Sequence, residues 1–257
     1  LFSIDFRLPY ASSRAPVMAR NIVSTSQPLA AQAGLRMLLK GGNAVDAAIA
    51  AAMALTVVEP TGCGLGSDAF AFVWDGVKLH ALNSSGRSPA AWTPDRFRGR
   101  KTMPERGWES VTVPGAVAAW IELASRFGSL PLSVLAEPAI GYARRGFLVS
   151  PKIAALWEVA SVLLNRQPGF AACFLPGGRA PKAGEVFKCE AQAKSLELIA
   201  ETRGEAFYRG SLAEGMAAFA KAHGGALSVE DLAAHTADWV EPISAPFAGQ
   251  VLYELPP

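Results

Sequence analysis

The stretch "GGNAVDAAIAAAMALTVVEP", residues 41–60, decides the fold. Asn43 stands just before an unbroken run of helix formers, and Asp46 follows three residues later, near the positive end of the helix that begins there. Asn43 is therefore read as the N-cap of that helix, with Asp46 at its third position. Nearly every later side chain is small, so other elements can approach the backbone closely on several sides, and the helix is expected to be central. Pro60 ends it. The run Ala44–Val58 is shorter than the roughly 20 residues that cross a bilayer and contains Asp46, so it is read as a helix of a soluble protein.

Upstream, "VMARNIVST" (17–25) reads as a strand. Ser26 with Pro28 opens a helix whose polar stripe is Gln32, Arg36 and Lys40, with Ala31, Leu35, Leu38 and Leu39 on the opposite face. Lys40 and the glycines at 41 and 42 stop it, since a last-turn cation and residues tolerant of left-handed backbone favour a C-terminus. Downstream, the glycine-rich turn "TGCGLGSD" (61–68) leads into "AFAFVW" (69–74) and "VKLHAL" (77–82). Two short runs around Asp75-Gly76 predict a β-hairpin. "NSSGRSPAAWTPDRF" (83–97) is a loop and "VTVPG" (111–115) a short strand and turn. Helices are expected over Ala116–Phe127, over Leu132–Arg145 with Arg144, Arg145 and Gly146 closing it, and over residues 150–165. After a Pro/Gly-containing excursion (166–188), Ala193, Leu196, Ile199 and Ala200 mark an amphipathic helix. Two more follow, across 211–223 and after Ser228 with Asp231 three residues on. "PISAPFAGQVLYEL" (242–255) reads as strand, turn, strand.

The 257 residues are 51% apolar, enough for a substantial core in one large domain or two ordinary ones. Twenty-four Lys and Arg against 22 Asp and Glu make no electrostatic case for nucleic acid or a membrane surface as the general partner. The first residues, "LFSIDFRLPYASSR", lack the order of a signal peptide, and the compartment stays open. Cys63, Cys173 and Cys189 are too far apart and too few for a disulfide framework or a zinc site, so buried thiols are expected.

Several motifs are weaker than their letters. Gly64-Leu65-Gly66-Ser67-Asp68-Ala69 matches a dinucleotide loop in spelling, but that loop needs a strand before it and a helix after it. Here the order is reversed, which leaves a tight turn or a backbone lining near a ligand. Arg96, Arg98, Arg100, Lys101 and Arg106 are read as a solvated loop. His80 shares a strand face with Lys78, His223 sits at a helix C-terminus and His235 on a different helix, so no pair has metal-ligand spacing. HExxH, CxxC, GxSxG and P-loop patterns are missing, and no cofactor is expected. Arg87 stands apart, directly after the second hairpin strand in a loop of small residues that leaves its guanidinium room to meet a ligand, although taken alone a surface-loop arginine reads as solvent-exposed and structural.

"PLAAQAGLRMLLKGGNAVDAAIAAAMALTVVEP" (28–60) closely resembles the signature of the γ-glutamyltransferase (glutathione hydrolase) family. "VTVPGAVAAWIELASRFGSLPLSVLAEPAIGYARRGF" (111–147) and the segment from Ala193 to Ser244 resemble later family blocks in the same order. The resemblance implies an α+β fold, the αββα four-layer sandwich of N-terminal-nucleophile hydrolases. Residues 1–257 would be a single domain fragment, the large-subunit part of a precursor whose sheets are completed by a C-terminal portion. It implies that Arg87 matches the arginine that binds the donor's α-carboxylate. The nucleophile would be an N-terminal threonine of the small subunit of the same precursor, and none of Thr25, Thr56, Thr61, Thr93, Thr102, Thr112, Thr202 and Thr236 takes that place. The expected activity is γ-glutamyl hydrolysis or transfer from glutathione or related amides. The alternatives are a glutaryl/cephalosporin-type acylase and a catalytically dead scaffold relative. A small-molecule γ-glutamyl donor and the small subunit are the expected partners, and the processed heterodimer could itself form a homo-oligomer. The loop "GLGSDAF" departs from the plainer glycine run of well-known glutathione-cleaving members.

Overall fold

The structure, a computed structural model, describes residues 17–256; the reading of residues 1–14 lies outside them. In chain order the helices are α1 (Pro28–Leu39), α2 (Ala44–Val58), α3 (Ala116–Phe127), α4 (Leu132–Arg145), α5 (Pro151–Leu164), α6 (Phe170–Phe174), α7 (Glu190–Thr202), α8 (Glu205–Tyr208), α9 (Ser211–Ala222) and α10 (Val229–Ala233). The strands are β1 (Ala69–Trp74), β2 (Leu79–Ser84), β3 (Phe147–Leu148), β4 (Val186–Phe187), β5 (Asp238–Val240), β6 (Ile243–Phe247) and β7 (Gln250–Glu254). The class is α+β, as expected. The chain forms two compact units, one from residues up to 63 plus 135–196, the other from 64–134 plus 197 onward.

In the first unit the predicted cap of α2 is present in full. Asn43 Oδ1 accepts from the backbone N–H of Val45 and Asp46 at 2.9 and 3.1 Å, while Asp46 Oδ2 accepts from Asn43 N at 2.9 Å. Asp46 is fully buried, as are Ile49, Ala50, Met53, Ala54, Val57 and Val58, so the small-residue helix is central to this unit. Replacing Asp46 by Ala removes the acceptor of the Asn43 N–H, and a lost cap of this kind costs about 1–2 kcal/mol. We expect Asp46→Ala to lower the urea midpoint accordingly; an unchanged midpoint would mean the cap contributes nothing.

The buried face of α1 is not the one expected. Ala30, Ala33, Gly34 and Met37 are buried, while Leu35 and Leu39 are 44% and 79% exposed. Gly34 supplies the reason: a Cβ there would lie 2.8 Å from the Ala47 carbonyl oxygen of α2. Helices this close accept small side chains between them, and the leucines are turned away. The helix also opens at Gln27, whose Oε1 accepts from Leu29 N at 2.5 Å, while Ser26 Oγ donates instead to Glu59 at 2.7 Å. Arg36 and Lys40 of the predicted polar stripe converge on Glu137 of α4 at 3.4 and 2.6 Å. The Lys40 hydrogen bond, joined by Arg36, holds the Glu137 carboxyl below its ordinary range.

Residues 17–25 form no strand. Val17, Met18 and Ile22 are exposed, and no described strand pairs with this segment; apolar alternation alone does not make a strand without a neighbour to complete its hydrogen bonds. Within the excursion 166–188, α6 and β4 pack on α5. Trp157 is buried with ring centroids 6.2 Å from Phe174 and 4.7 Å from Phe187, and its indole donates to the Phe174 carbonyl at 2.9 Å. The cysteines are less hidden than expected: Cys63 and Cys189 are half-buried and Cys173 is exposed. Burial, with Glu59 adding to it, pushes the Cys63 thiol up.

In the second unit β1, β2 and β5 form an antiparallel sheet in that order. The predicted hairpin is there, with Trp74 opposite Leu79, though its second strand runs Leu79–Ser84 instead of residues 77–82 and so takes in the first two residues expected in the loop. Asp75 Oδ1 accepts from Val77 N and Lys78 N at 2.8 Å each, and Gly76 takes φ 98°, the left-handed backbone for which glycine suits a turn. The sheet gains β5, which the sequence reading did not foresee, with Ala81 opposite Val240 and Asn83 opposite Asp238. Helix α3 starts and ends where expected. Glu122 accepts from the Trp239 indole at 2.7 Å, and the Arg126 guanidinium lies 4.2 Å from that ring's centroid. Residues 111–115 are not a strand; they are joined to the loop after β2 by Val113 N donating to Arg87 O at 3.0 Å. The cap of α10 by Ser228 and Asp231 and the β6–β7 ribbon match expectation.

Candidate functional site

Arg87 emerges from a loop whose backbone is fixed on both sides. Just before it, Ser84 at the end of β2 donates through Oγ to Gly115 O at 2.7 Å. Asp68 Oδ1, at the start of β1, accepts from Gly86 N at 2.8 Å. The segment facing the loop is held in turn, because Gly115 N and Ala116 N both donate to Ser67 O, at 3.1 and 2.8 Å. The approach is so close that a Cβ on Gly86 would lie 1.5 Å from Val113 O, and one on Gly115 1.8 Å from Ser84 O. A rigid backbone thus carries a free side chain: Arg87 is 75% exposed, and its nearest carboxylate is Asp238 Oδ2 at 3.8 Å.

The guanidinium borders a cleft of about 180 Å³ lined by Arg87, Ser88, Ala90, Val113, Asp231 and His235. Asp231 is committed elsewhere, accepting from Ala90 N at 2.8 Å through Oδ1 and from Ser228 N at 2.9 Å through Oδ2. His235 lies just past α10, not on a helix as expected, and is buried. Its Nε2 lies 3.4 Å from Ser84 Oγ. Its ring stacks on Tyr208 with centroids 5.5 Å apart. The Tyr208 hydroxyl donates to Pro114 O at 2.7 Å and accepts from Ala118 N at 3.0 Å, so the platform under His235 is itself fixed. Burial pushes the His235 imidazole down; the charges of Asp68 and Asp238 oppose this, and Arg87 adds to it. Burial pushes the Tyr208 phenol well up.

The other sequence candidates fall outside the cleft or only support it. The glycine turn at 64–69 does follow a helix and precede a strand, and its Ser67 and Asp68 brace the Arg87 loop. The basic cluster is answered locally, Arg96 and Arg100 meeting Glu109 at 3.7 and 2.6 Å, Arg98 pairing with Asp95 and Arg106 with Glu105. His80 pairs with Asp75 at 2.7 Å, and His223 caps its helix with Nδ1 2.9 Å from Phe219 O. Among the described residues no group of three His, Cys, Asp or Glu side chains is placed to hold a metal ion, and no helix is long and apolar enough to cross a membrane. Of the residues that line or brace this cleft, Tyr208 and Asp238 were not singled out by the sequence reading, and Asp68 and His235 were named there, in the glycine turn and on a helix, without being joined to Arg87.

The gamma-glutamyltranspeptidase family model matches residues 30–257, and the chain belongs to that family, with its N-terminal-nucleophile hydrolase fold. Among curated relatives, it is 38% identical to the glutathione hydrolase-like YwrD proenzyme of Bacillus subtilis (strain 168), over 93% of this chain and 47% of that protein. It is 35% identical to the acylase ACY 1 proenzyme of Pseudomonas sp. (strain V22), over 93% of this chain and 45% of that protein. Among solved structures, a cephalosporin acylase from Bacillus halodurans superposes with a TM-score of 0.87 at 47% identity, covering 97% of this chain and 49% of that one. The chain spans about half the length of the curated relatives it matches.

Proposed function

We propose that the complete protein hydrolyses or transfers the γ-glutamyl group of glutathione or a related γ-glutamyl amide, with Arg87 gripping the donor's α-carboxylate. The observation that carries this is the geometry of Arg87: a mostly exposed guanidinium, 3.8 Å from Asp238, on a tightly packed backbone beside a small cleft that the residue helps to line. A guanidinium can hold a carboxylate by two parallel charge-assisted hydrogen bonds, which fixes the orientation of the donor as well as its charge. The nucleophile in this reading is the N-terminal threonine of a small subunit cut from the same precursor. Its hydroxyl attacks the γ-carbonyl with its own amine as base, and water or an amine acceptor resolves the acyl-enzyme. Residues 1–257 act as a single domain fragment of that precursor, a reading supported by the interleaving of the two units, each of which the chain enters twice.

A glutaryl or cephalosporin-type acylase is the second reading, favoured by the acylase relatives. A glutaryl donor keeps the carboxylate that Arg87 would hold and lacks only the α-amino group, so Arg87 serves both chemistries and does not choose between them. Comparing γ-glutamyl and glutaryl anilides on the purified, self-processed protein separates the two. We expect cleavage before a threonine by intact mass and faster release from the γ-glutamyl anilide. Preference for the glutaryl anilide would move the assignment to the acylases, and an uncut, inactive chain would leave a scaffold.

A further inference from the structure

We propose that His235 is a second binding residue for the donor's carboxylate beside Arg87, taking up a proton at Nδ1 as the anion enters the cleft. The proposal rests on the Arg87 reading above and adds a second residue that lines the same cleft. Ser84 Oγ spends its proton on Gly115 O at 2.7 Å, so the contact of 3.4 Å with His235 requires that Nε2 carry the hydrogen and donate. The neutral ring therefore presents a lone pair at Nδ1, which has no hydrogen-bond partner among the described residues. A histidine serving only to fill space beside Tyr208 would gain nothing from lining the same cleft as an exposed guanidinium.

The charges around the ring explain why it waits for a ligand. Of the carboxylates near the ring, Asp68 accepts from Gly86 N, Asp231 is saturated by Ala90 and Ser228, and Asp238 lies 3.8 Å from Arg87. Tyr208, on the stacked side, is held neutral by burial. Burial and Arg87 disfavour the imidazolium in the free protein. An entering carboxylate compensates Arg87 and supplies an acceptor, so it favours the protonated ring. The proton comes from the buffer, bonds to the Nδ1 lone pair and leaves with the anion. By linkage, a ligand that raises the pKa of this group binds more tightly as pH falls through that pKa, on the order of tenfold for each unit of the shift.

Calorimetric titration of L-glutamate and of glutarate into the complete processed protein, in two buffers of different ionisation enthalpy between pH 6 and 8, reads this directly. Proton uptake on binding and affinity that rises on acidification are expected. Both should vanish in His235→Gln, whose amide N–H can still donate to Ser84 Oγ, while Arg87→Ala should lose binding at every pH. Uptake that persists in His235→Gln overturns the role of His235 and leaves Arg87 standing. Binding indifferent to both substitutions overturns the Arg87 reading as well. Absence of uptake in the unmodified protein overturns the proposal without any variant.

Discussion

Arg87→Ala in the complete protein is expected to lower donor kcat/KM by roughly 30- to several-thousand-fold, the equivalent of about 2–5 kcal/mol for truncating one partner of a desolvated charge pair. The same substitution should barely move the thermal midpoint. The side chain is 75% exposed, and its ion pair with Asp238, itself 57% exposed, spans 3.8 Å. Such a pair contributes at most about 1 kcal/mol. Arg87→Lys should recover part of the loss, since it keeps the charge and loses the fork that fixes the donor's orientation. Steady-state kinetics with a γ-glutamyl anilide, beside a melting curve for each variant, tests both halves. Equal activity in Arg87→Ala would remove Arg87 from the site; a large fall in melting temperature would make it a structural residue.

What could be read from sequence was local chemistry. The Asn43–Asp46 cap, the Asp75-Gly76 turn, the bounds of α3 and α4 and the Ser228–Asp231 cap each follow from residues within a few positions of one another. Arg87 was legible through the family resemblance together with its place after the hairpin. The failures are all matters of pairing at a distance. Strand β5 is three residues long and exists because β2 offers it an open edge. Residues 17–25 have the alternation of a strand without a described partner. The face that α1 buries was set by Gly34 against Ala47, and Leu35 and Leu39, counted on its apolar side, are outside. Asp238 pairs with Arg87, and His235 lines the same cleft, only across about 150 residues of chain, and no spacing rule in a single sequence joins them.

Gly86→Ala should be the most damaging small substitution near the site. Its Cβ would stand 1.5 Å from the Val113 carbonyl oxygen and 2.6 Å from the carbonyl carbon. Backbone occupies that space, so no side-chain rotation relieves the clash. Overpacking that side chains can absorb costs about 1–3 kcal/mol, and here the segment 111–115 must move, which breaks the Val113 N to Arg87 O bond that carries the loop. We expect a loss at or above the upper end of that range and a fall in melting temperature of roughly 6–12 °C, at about 2–4 °C per kcal/mol for a chain of this size. Donor turnover should fall with it, because Arg87 is the next residue. Gly66→Ala is the matched control: it lies in the neighbouring glycine turn, its Cβ would meet nothing within 4 Å, and its φ is not positive. If Gly66→Ala keeps stability and activity while Gly86→Ala loses both, the glycine that matters is the one that lets two backbones touch beneath Arg87. If Gly86→Ala behaves like its control, the loop is not held as described, and the rigidity on which the Arg87 reading depends is lost with it.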